Sequence, residues 1–200
     1  MLGLEYIDKA EKHLMFVSSQ LETVKKAGKS ISDAVLNKNK IFVVDRYGVI
    51  ENELIGRSSG LALFQSYDDD EETMGQNDIL ILSAFYPAEQ DDLDIINNAR
   101  AQGAKIITIS PEGPISKAAD IALINGNEDL NDVMYVPGID QSFCPLSGIL
   151  NAVLAWTVAA ETTAVFLSQG KIPTSYRGDY LPDGVDKNSE ARKRYISLGY

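Results

Sequence analysis

Residues 79–92 read ILILSAFYPAEQDD and join an apolar run to a segment rich in carboxylates. The run from Ile79 to Leu82 is typical of a buried strand, and the pattern over 88–102 predicts a helix. In open α/β sheets, ligands bind beyond the carboxyl ends of the strands, at junctions of this kind. Small residues and free backbone N–H groups would suit an anion there. This junction instead presents aromatic rings and acidic side chains.

Apolar runs elsewhere in the chain predict the rest of a sheet around DILILS (78–83). They are KIFVVD (40–45), GLALFQSY (60–67), KIITIS (105–110) and DIALIN (120–125). Because helical segments or turns separate these runs, we expect a parallel sheet that is covered on both faces. The predicted fold class is α/β, a three-layer α/β/α sandwich on a five-stranded parallel sheet of flavodoxin-like strand order.

Helical segments are expected before the sheet and after it. Apolar residues at helical spacing predict a helical arm over residues 1–37, which Gly28 and Ser30 divide into two helices. The stretch LSGILNAVLAWTVAAETTAVFL (146–167) predicts a helix of the core or of a subunit interface. Its Glu161 argues against a membrane span, because a carboxylate at mid-bilayer is unfavourable.

The chain is expected to end in an arm rather than in a further layer of the sandwich. Residues 171–200 are interpreted as an irregular C-terminal arm, with proline and glycine over 171–190 and a short helix near 188–195. Since 200 residues are enough to bury one full core, we predict a single domain over 1–200 with these two arms.

Charge and cysteine content exclude several classes of protein. The net charge of −11 argues against a nucleic-acid surface and against binding to anionic membranes. The only cysteine, Cys144, rules out an internal disulfide, favours a cytoplasmic setting and is expected to be buried. The run DDDEE (68–72) is interpreted as a solvated loop. One histidine and one cysteine cannot build a usual zinc site, so we expect no metal and no other cofactor.

Several segments together resemble the sugar isomerase (SIS) family of phosphosugar-binding domains, and its phosphoheptose-isomerase-like members in particular. They are LETVKKAGKSISDAVLNKNKIFVVD (21–45), ENELIGRSSGLA (51–62), DILILSAFYPAEQDDLDIINNARAQGAKIITIS (78–110), CPLSGILNAVLAW (144–156) and KIPTSYRGDYLPDGVDKN (171–188). The resemblance covers nearly the whole chain. It implies a homodimer or tetramer with sites near the subunit interface, and a sugar phosphate or related small molecule as ligand.

The resemblance also implies two phosphate-binding loops, and this sequence departs from both. Family members hold phosphate with small hydroxyl residues and backbone N–H groups. Here Tyr47 stands near the expected serine of the first loop, and only Ser83 remains in the second. A phosphate near the acidic start of the following helix would meet like charge, at a cost of about 1–3 kcal/mol at an effective dielectric near 20. The phosphate cradle is therefore expected to be altered or filled by the chain itself.

The catalytic residues of the family are only partly matched. Glu53 aligns with the glutamate that acts as general base in phosphoheptose isomerases, where a base moves a proton between C1 and C2. The alternative is that Glu53 and Arg57, four residues apart, form a helical ion pair. The family's second catalytic group is a histidine on the late helix, and none stands there. The only histidine, His13, is interpreted as an ordinary surface or interface residue.

The candidate ligand contacts are Arg46, Tyr47, Arg57, Ser83, Ser110 and Lys187. Three of them have the following structural alternatives. Arg46 follows the first strand and suits an anion, or it forms a salt bridge to Asp45, Glu89 or Asp91. Ser110 ends the fourth strand and contacts a ligand, or it caps a turn. Lys187 stands where relatives have a histidine and contributes charge to a ligand, or it is simply solvated.

Three functions remain open from the sequence. The first is a phosphosugar-binding or carbohydrate-derivative-binding protein related to aldose–ketose isomerases, with little or no turnover. The second is an active phosphoheptose-type isomerase that uses Glu53 as its base. The third is a regulatory or interaction module without a small-molecule ligand.

Overall fold

Five parallel strands form one sheet in the computed structural model, which describes residues 1–67, 74–126, 134–141 and 143–200. The strands are β1 (Ile41–Asp45), β2 (Phe64–Ser66), β3 (Ile79–Ser83), β4 (Lys105–Ser110) and β5 (Ile121–Ile124). Their order is β2-β1-β3-β4-β5, which confirms the predicted flavodoxin-like order. The acidic run 68–72 lies outside the described residues.

Helices cover both faces of this sheet, as predicted. The helices of the described residues are α1 (Leu2–Ser18), α2 (Leu21–Leu36), α3 (Val49–Leu54), α4 (Gln90–Ala101), α5 (Pro114–Lys117), α6 (Ser147–Ser168) and α7 (Gly184–Leu198). Alternate side chains of each strand point to opposite faces. On β1, Ile41 and Val43 join the core with α2, α3 and α6, whereas Phe42 joins a second cluster with α4 and α5. Because helices pack on both faces of the sheet, the domain has three layers, α/β/α.

The N-terminal helices divide at a different place from the one predicted. The break lies at Ser19 and Gln20, where the Ser19 hydroxyl turns back to the Phe16 carbonyl oxygen at 2.6 Å. Gly28 lies inside α2 instead. A Cβ atom on Gly28 would stand 2.8 Å from the backbone nitrogen of Thr162, so this glycine allows α2 and α6 to approach closely.

Helix α6 is the central helix of the larger core. By length and composition it could cross a membrane, but nine of its 22 residues are buried inside the domain. The core helix of a globular protein can have the same length and apolar composition, so these properties of α6 are weak evidence for a membrane span.

The C-terminal segment is more ordered than expected, because α7 begins at Gly184 rather than near residue 188. Before it, the backbone of Tyr176 exchanges hydrogen bonds of 2.9 Å with Ser59 and Gly60. The side chain of Asn188 binds the backbone N–H and C=O of Arg177 at 2.7 and 2.8 Å. The segment is thereby tied to the chain before β2 and to its own helix.

Cys144 is exposed, so the expectation of a buried thiol is wrong. Its backbone has a left-handed φ of 60°, between the bridge of Phe143 to Met134 and the buried start of α6. The turn leaves its side chain outside the core.

Candidate functional site

The carboxyl ends of the central strands meet at one edge, as the parallel topology requires. Asp45 pairs with Ser83 across β1 and β3, and Ser110 pairs with Ile124 across β4 and β5. We call the residues that follow these strand ends the sheet edge, comprising 45–48, 83–92 and 110–113. Ligands of open α/β sheets bind at this position.

A buried carboxylate takes the place that an anion would need in the first loop. Asp45 is 4% exposed, and its two oxygens accept hydrogen bonds from the backbone N–H groups of Tyr47 at 3.0 Å and Ile50 at 2.7 Å. These donors lie at the entry to α3. Because Asp45 already uses them, the first loop of this chain is filled by its own side chain.

Arg46 is held by three carboxylates of the second loop. Its Nη1 lies 2.9 Å from Asp91, its Nη2 lies 3.3 Å from Asp92, and its Nε lies 3.3 Å from Glu89. Partial burial opposes the charged form, but the three acids outweigh it and raise the pKa of Arg46. The salt-bridge alternative is therefore what the structure shows, with Asp92 as a partner that the sequence did not suggest.

The aromatic residues of the two loops pack on each other. The rings of Tyr47 and Phe85 stack at 4.5 Å between centroids and 8° between planes. The Tyr47 hydroxyl lies 3.4 Å from the Glu89 carboxylate. Burial, together with the charge of Glu89, raises the pKa of Tyr47. The second loop is thus covered by a side chain of the first.

Ser83, two residues before Phe85, belongs to a buried polar network. Its hydroxyl accepts a 2.9 Å hydrogen bond from Asn151 on α6, and Asn151 accepts one of 2.6 Å from Asn125 after β5. Ser110, which is also fully buried, donates to the Pro111 carbonyl oxygen at 3.1 Å. Ser83 and Ser110 are therefore engaged with the protein itself. The two asparagines were not predicted, because they are 26 residues apart in the chain.

Glu53, on α3, is fixed by two hydrogen-bond donors. One oxygen accepts a 2.7 Å hydrogen bond from Arg57, and the other accepts one of 2.7 Å from the indole of Trp156 on α6. The ion pair predicted as the alternative is present, and Trp156 adds a second partner that 103 residues of sequence separation concealed. The Glu53 side chain is 24% exposed.

Lys187 lies apart from these groups, on α7. It pairs with Glu190 at 2.8 Å, and this hydrogen bond and the charge of Glu190 raise the pKa of Lys187. The structure therefore brings together Arg46, Tyr47 and Ser83 at the sheet edge and joins Glu53 to Arg57. It places Lys187 with the C-terminal segment.

Metal-ligand groups are not assembled in the part of the chain that the structure describes. No group of three His, Cys, Asp or Glu side chains there could hold a metal ion. His13 lies half-buried on α1, and burial lowers its pKa.

Comparison with solved structures places this architecture among the sugar isomerase domains. A phosphoheptose isomerase from Francisella tularensis superposes with a TM-score of 0.55 at 12% identity, over 80% of this chain and 100% of that one. The sugar isomerase domain of an RpiR transcription factor from Sphaerobacter thermophilus gives 0.55 at 11% identity, over 98% and 99%. A phosphosugar isomerase from Bacteroides fragilis, described as putative in its name, gives 0.54 at 16%, over 80% and 91%.

The chain thus has the fold of the sugar isomerase domains, an α/β sandwich whose ligand sites are expected at the carboxyl ends of its strands. No family model and no curated protein matches the sequence. At these identities the likeness defines the architecture, and the chemistry has to come from the side chains of this chain.

Proposed function

We propose that this protein binds a carbohydrate derivative, such as a phosphosugar, and has little or no isomerase turnover. The observation that carries the proposal is the engagement of both Glu53 oxygens, by Arg57 and by Trp156. A general base needs a free lone pair directed at the substrate proton. Each hydrogen bond uses one lone pair of a Glu53 oxygen and fixes the carboxylate, so Arg57 and Trp156 set the direction of the lone pairs that remain.

Binding without turnover also agrees with the missing partner acid. The only histidine, His13, lies on α1. The residue of α6 that contacts Glu53 is Trp156, whose indole N–H donates to the carboxylate. Support for a sugar ligand comes from the fold shared with the phosphoheptose isomerase and from the position of the sheet edge. There, the Tyr47 ring stacks on Phe85 and the residue is 48% exposed, so aromatic surface is available for contact with the apolar side of a sugar.

A regulatory module is the second candidate function. The closed first loop, with Asp45 on its own backbone donors, favours a protein that has lost the small-molecule site. The RpiR domain, which belongs to a transcription factor, covers almost this entire chain at the same fold. This candidate predicts that no carbohydrate stabilises the protein.

A homodimer or tetramer in the cytoplasm completes the proposal. Helix α1 contacts α6 and exposes Leu2, Leu4, Ile7 and Met15, each at least half exposed. Such a face suits an interface between copies. Sedimentation velocity of the wild type and Ile7→Glu tests it, and a monomer in both would contradict it.

The function is tested by ligand stabilisation and isotope exchange on the same protein. Sugar phosphates, the free sugars and inorganic phosphate are compared in thermal shift at one ionic strength. A ligand at about 100 times its Kd adds roughly 2.7 kcal/mol, which raises Tm by several degrees. We expect a rise with a carbohydrate, without exchange of its C2 proton into deuterated water. Exchange that disappears in Glu53→Gln would instead establish an isomerase.

A further inference from the structure

A cleft lies along one side of α7, away from the sheet edge. It has a volume of about 520 Å³ and separates α7 from residues 172–177; we call it the arm cleft. Three basic side chains line it, Arg177, Lys187 and Arg194, against one acid, Glu190. Ile172 and Tyr176 supply apolar surface. Small-ligand pockets have volumes of roughly 300–1,000 Å³, so the arm cleft is of suitable size.

The charge of this region is opposite to that of the whole protein. Residues 171–200 contain six Lys or Arg and four Asp or Glu, whereas the chain carries a net charge of −11. Charges more than about 8 Å away are largely screened at physiological salt. The cations of the cleft therefore decide what binds in it.

The three cations form only weak, exposed interactions with other groups of the protein. Arg177 lies 3.3 Å from Asp183, and Lys187 lies 2.8 Å from Glu190, with all four side chains about half exposed or more. Exposed pairs of this kind contribute about 0–1 kcal/mol each. Arg194 donates one hydrogen bond to the Ile172 carbonyl oxygen. A dianion can therefore recruit these groups at low cost.

The walls of the arm cleft are fixed before any ligand binds. Asn188 holds the backbone of Arg177 from both sides, and Gly184 lets the start of α7 pack against the backbone of Gly178. Pre-formed walls reduce the entropy that binding costs. Guanidinium groups match the geometry of phosphate oxygens, and an ammonium adds a third donor.

We infer that the arm cleft is an anion site that binds phosphate or a small phosphate monoester through Arg177, Lys187 and Arg194. Ile172 and Tyr176 cover the organic part of a monoester. This site is distinct from the sheet edge, where Arg46 faces three carboxylates, and it does not depend on the proposed function.

The test is isothermal titration of the full chain with inorganic phosphate and with glucose 6-phosphate, with ionic strength held constant by sodium chloride. We expect saturable binding of at least one probe. Arg177→Gln and Lys187→Gln each remove one charge-assisted contact and should weaken binding roughly tenfold. Neither substitution removes a backbone contact, since Asn188 binds only main-chain atoms of Arg177.

Two matched variants make the result decisive. Lys193→Gln removes the same charge from the same helix but lies outside the arm cleft, so its affinity should equal that of the wild type. Arg46→Gln should leave the affinity for inorganic phosphate unchanged, because Arg46 is already paired with three carboxylates. Absence of saturable binding to both probes, or equal weakening in Lys193→Gln, would overturn the inference. Loss of phosphate binding in Arg46→Gln alone would also overturn the inference, because the anion would then bind at the sheet edge.

Free sugars are titrated separately. If they do not bind, that result contradicts only the proposed function.

Discussion

The sheet edge and the arm cleft both offer arginine to a ligand, and they differ in what surrounds it. At the sheet edge one guanidinium, that of Arg46, meets Glu89, Asp91 and Asp92. In the arm cleft three cations meet two carboxylates, because Lys187 pairs with Glu190 and Arg177 pairs with Asp183. A sheet edge in this fold is the expected anion site, yet its local charge here disfavours an anion. The comparison teaches that the balance of neighbouring charges, more than position in the fold, decides where an anion binds.

The two regions also differ in how far their polar groups are committed to folding. Asp45, Ser83 and Ser110 are almost fully buried and hydrogen-bonded within the chain. The cations of the arm cleft are half exposed and only weakly paired. Substitutions at the sheet edge should therefore change stability, and those in the cleft should change binding.

Asp45→Ala should give the largest loss of stability. It leaves the Ile50 backbone N–H without its acceptor at a buried position, and the Tyr47 backbone N–H without its acceptor at a partly buried one. Each unsatisfied buried donor costs about 1–3 kcal/mol, so we expect the free energy of unfolding to fall by about 2–4 kcal/mol. Urea unfolding followed by circular dichroism measures the change.

Asp45→Asn is the matched control for this substitution. It keeps one acceptor oxygen and should lose less stability than the alanine variant. If Asp45→Ala unfolded with the wild-type free energy, the carboxylate would not be structural, and the contrast with the arm cleft would fail.

Gly184→Ala should break the arm cleft while leaving the sheet intact. The added Cβ would lie 2.2 Å from the Gly178 carbonyl oxygen and 2.8 Å from the Cα atom of Asp179. Overpacking of this kind costs about 1–3 kcal/mol. We expect faster proteolysis within residues 171–198 and lost phosphate binding, with little change in the exchange protection of β1 and β3 amides.

Gly3→Ala is the control, because nothing lies within 4 Å of the added Cβ. It should leave both proteolysis and phosphate binding unchanged. A Gly184→Ala protein that binds phosphate like the wild type would show that the docking of α7 does not form the site.

Arg46→Gln and Arg177→Gln compare the two regions directly. Removing Arg46 leaves three neighbouring acids without a counter-charge, so unfolding free energy should fall by about 1 kcal/mol at low salt and recover at high salt. Removing Arg177 breaks a single exposed pair and should cost less than about 0.5 kcal/mol. Equal losses at low salt would remove the proposed difference between the regions.

The sequence predicted the fold well because the strands are continuous apolar runs with clear boundaries. It overextended the second strand to 60–67, since Leu61 and Leu63 are buried outside β2, and Leu61 bridges to Ser175. It placed the helix break at Gly28, because a glycine used for close helix contact has the same local pattern as one that ends a helix.

The candidate site was predictable in position and less so in its contacts. Topology alone places Asp45, Ser83 and Ser110 at one edge. The ion pair of Glu53 with Arg57 follows from a spacing of four residues. Trp156 and Asn151 reach the site from a distant helix, and local pattern carries no sign of such contacts.

Asp92→Asn should give the smallest effect, one that depends on pH. Burial raises the pKa of Asp92, although Arg46 lowers it, while Glu89 and Asp91 add to the rise. The native state therefore holds this proton more tightly than the unfolded chain, so the contribution of Asp92 to stability falls as pH rises through the raised pKa. Asparagine keeps an oxygen for Arg46 but does not titrate. We expect the stability of Asp92→Asn relative to the wild type to increase from below the ordinary carboxyl pKa and to level off above the raised one. Urea titrations across this range test it, with the exposed Asp91→Asn as control. If the stability of Asp92→Asn relative to the wild type decreased with pH, the attraction of Arg46 for the Asp92 carboxylate would outweigh burial. The sheet edge would then stabilise the charged form of Asp92.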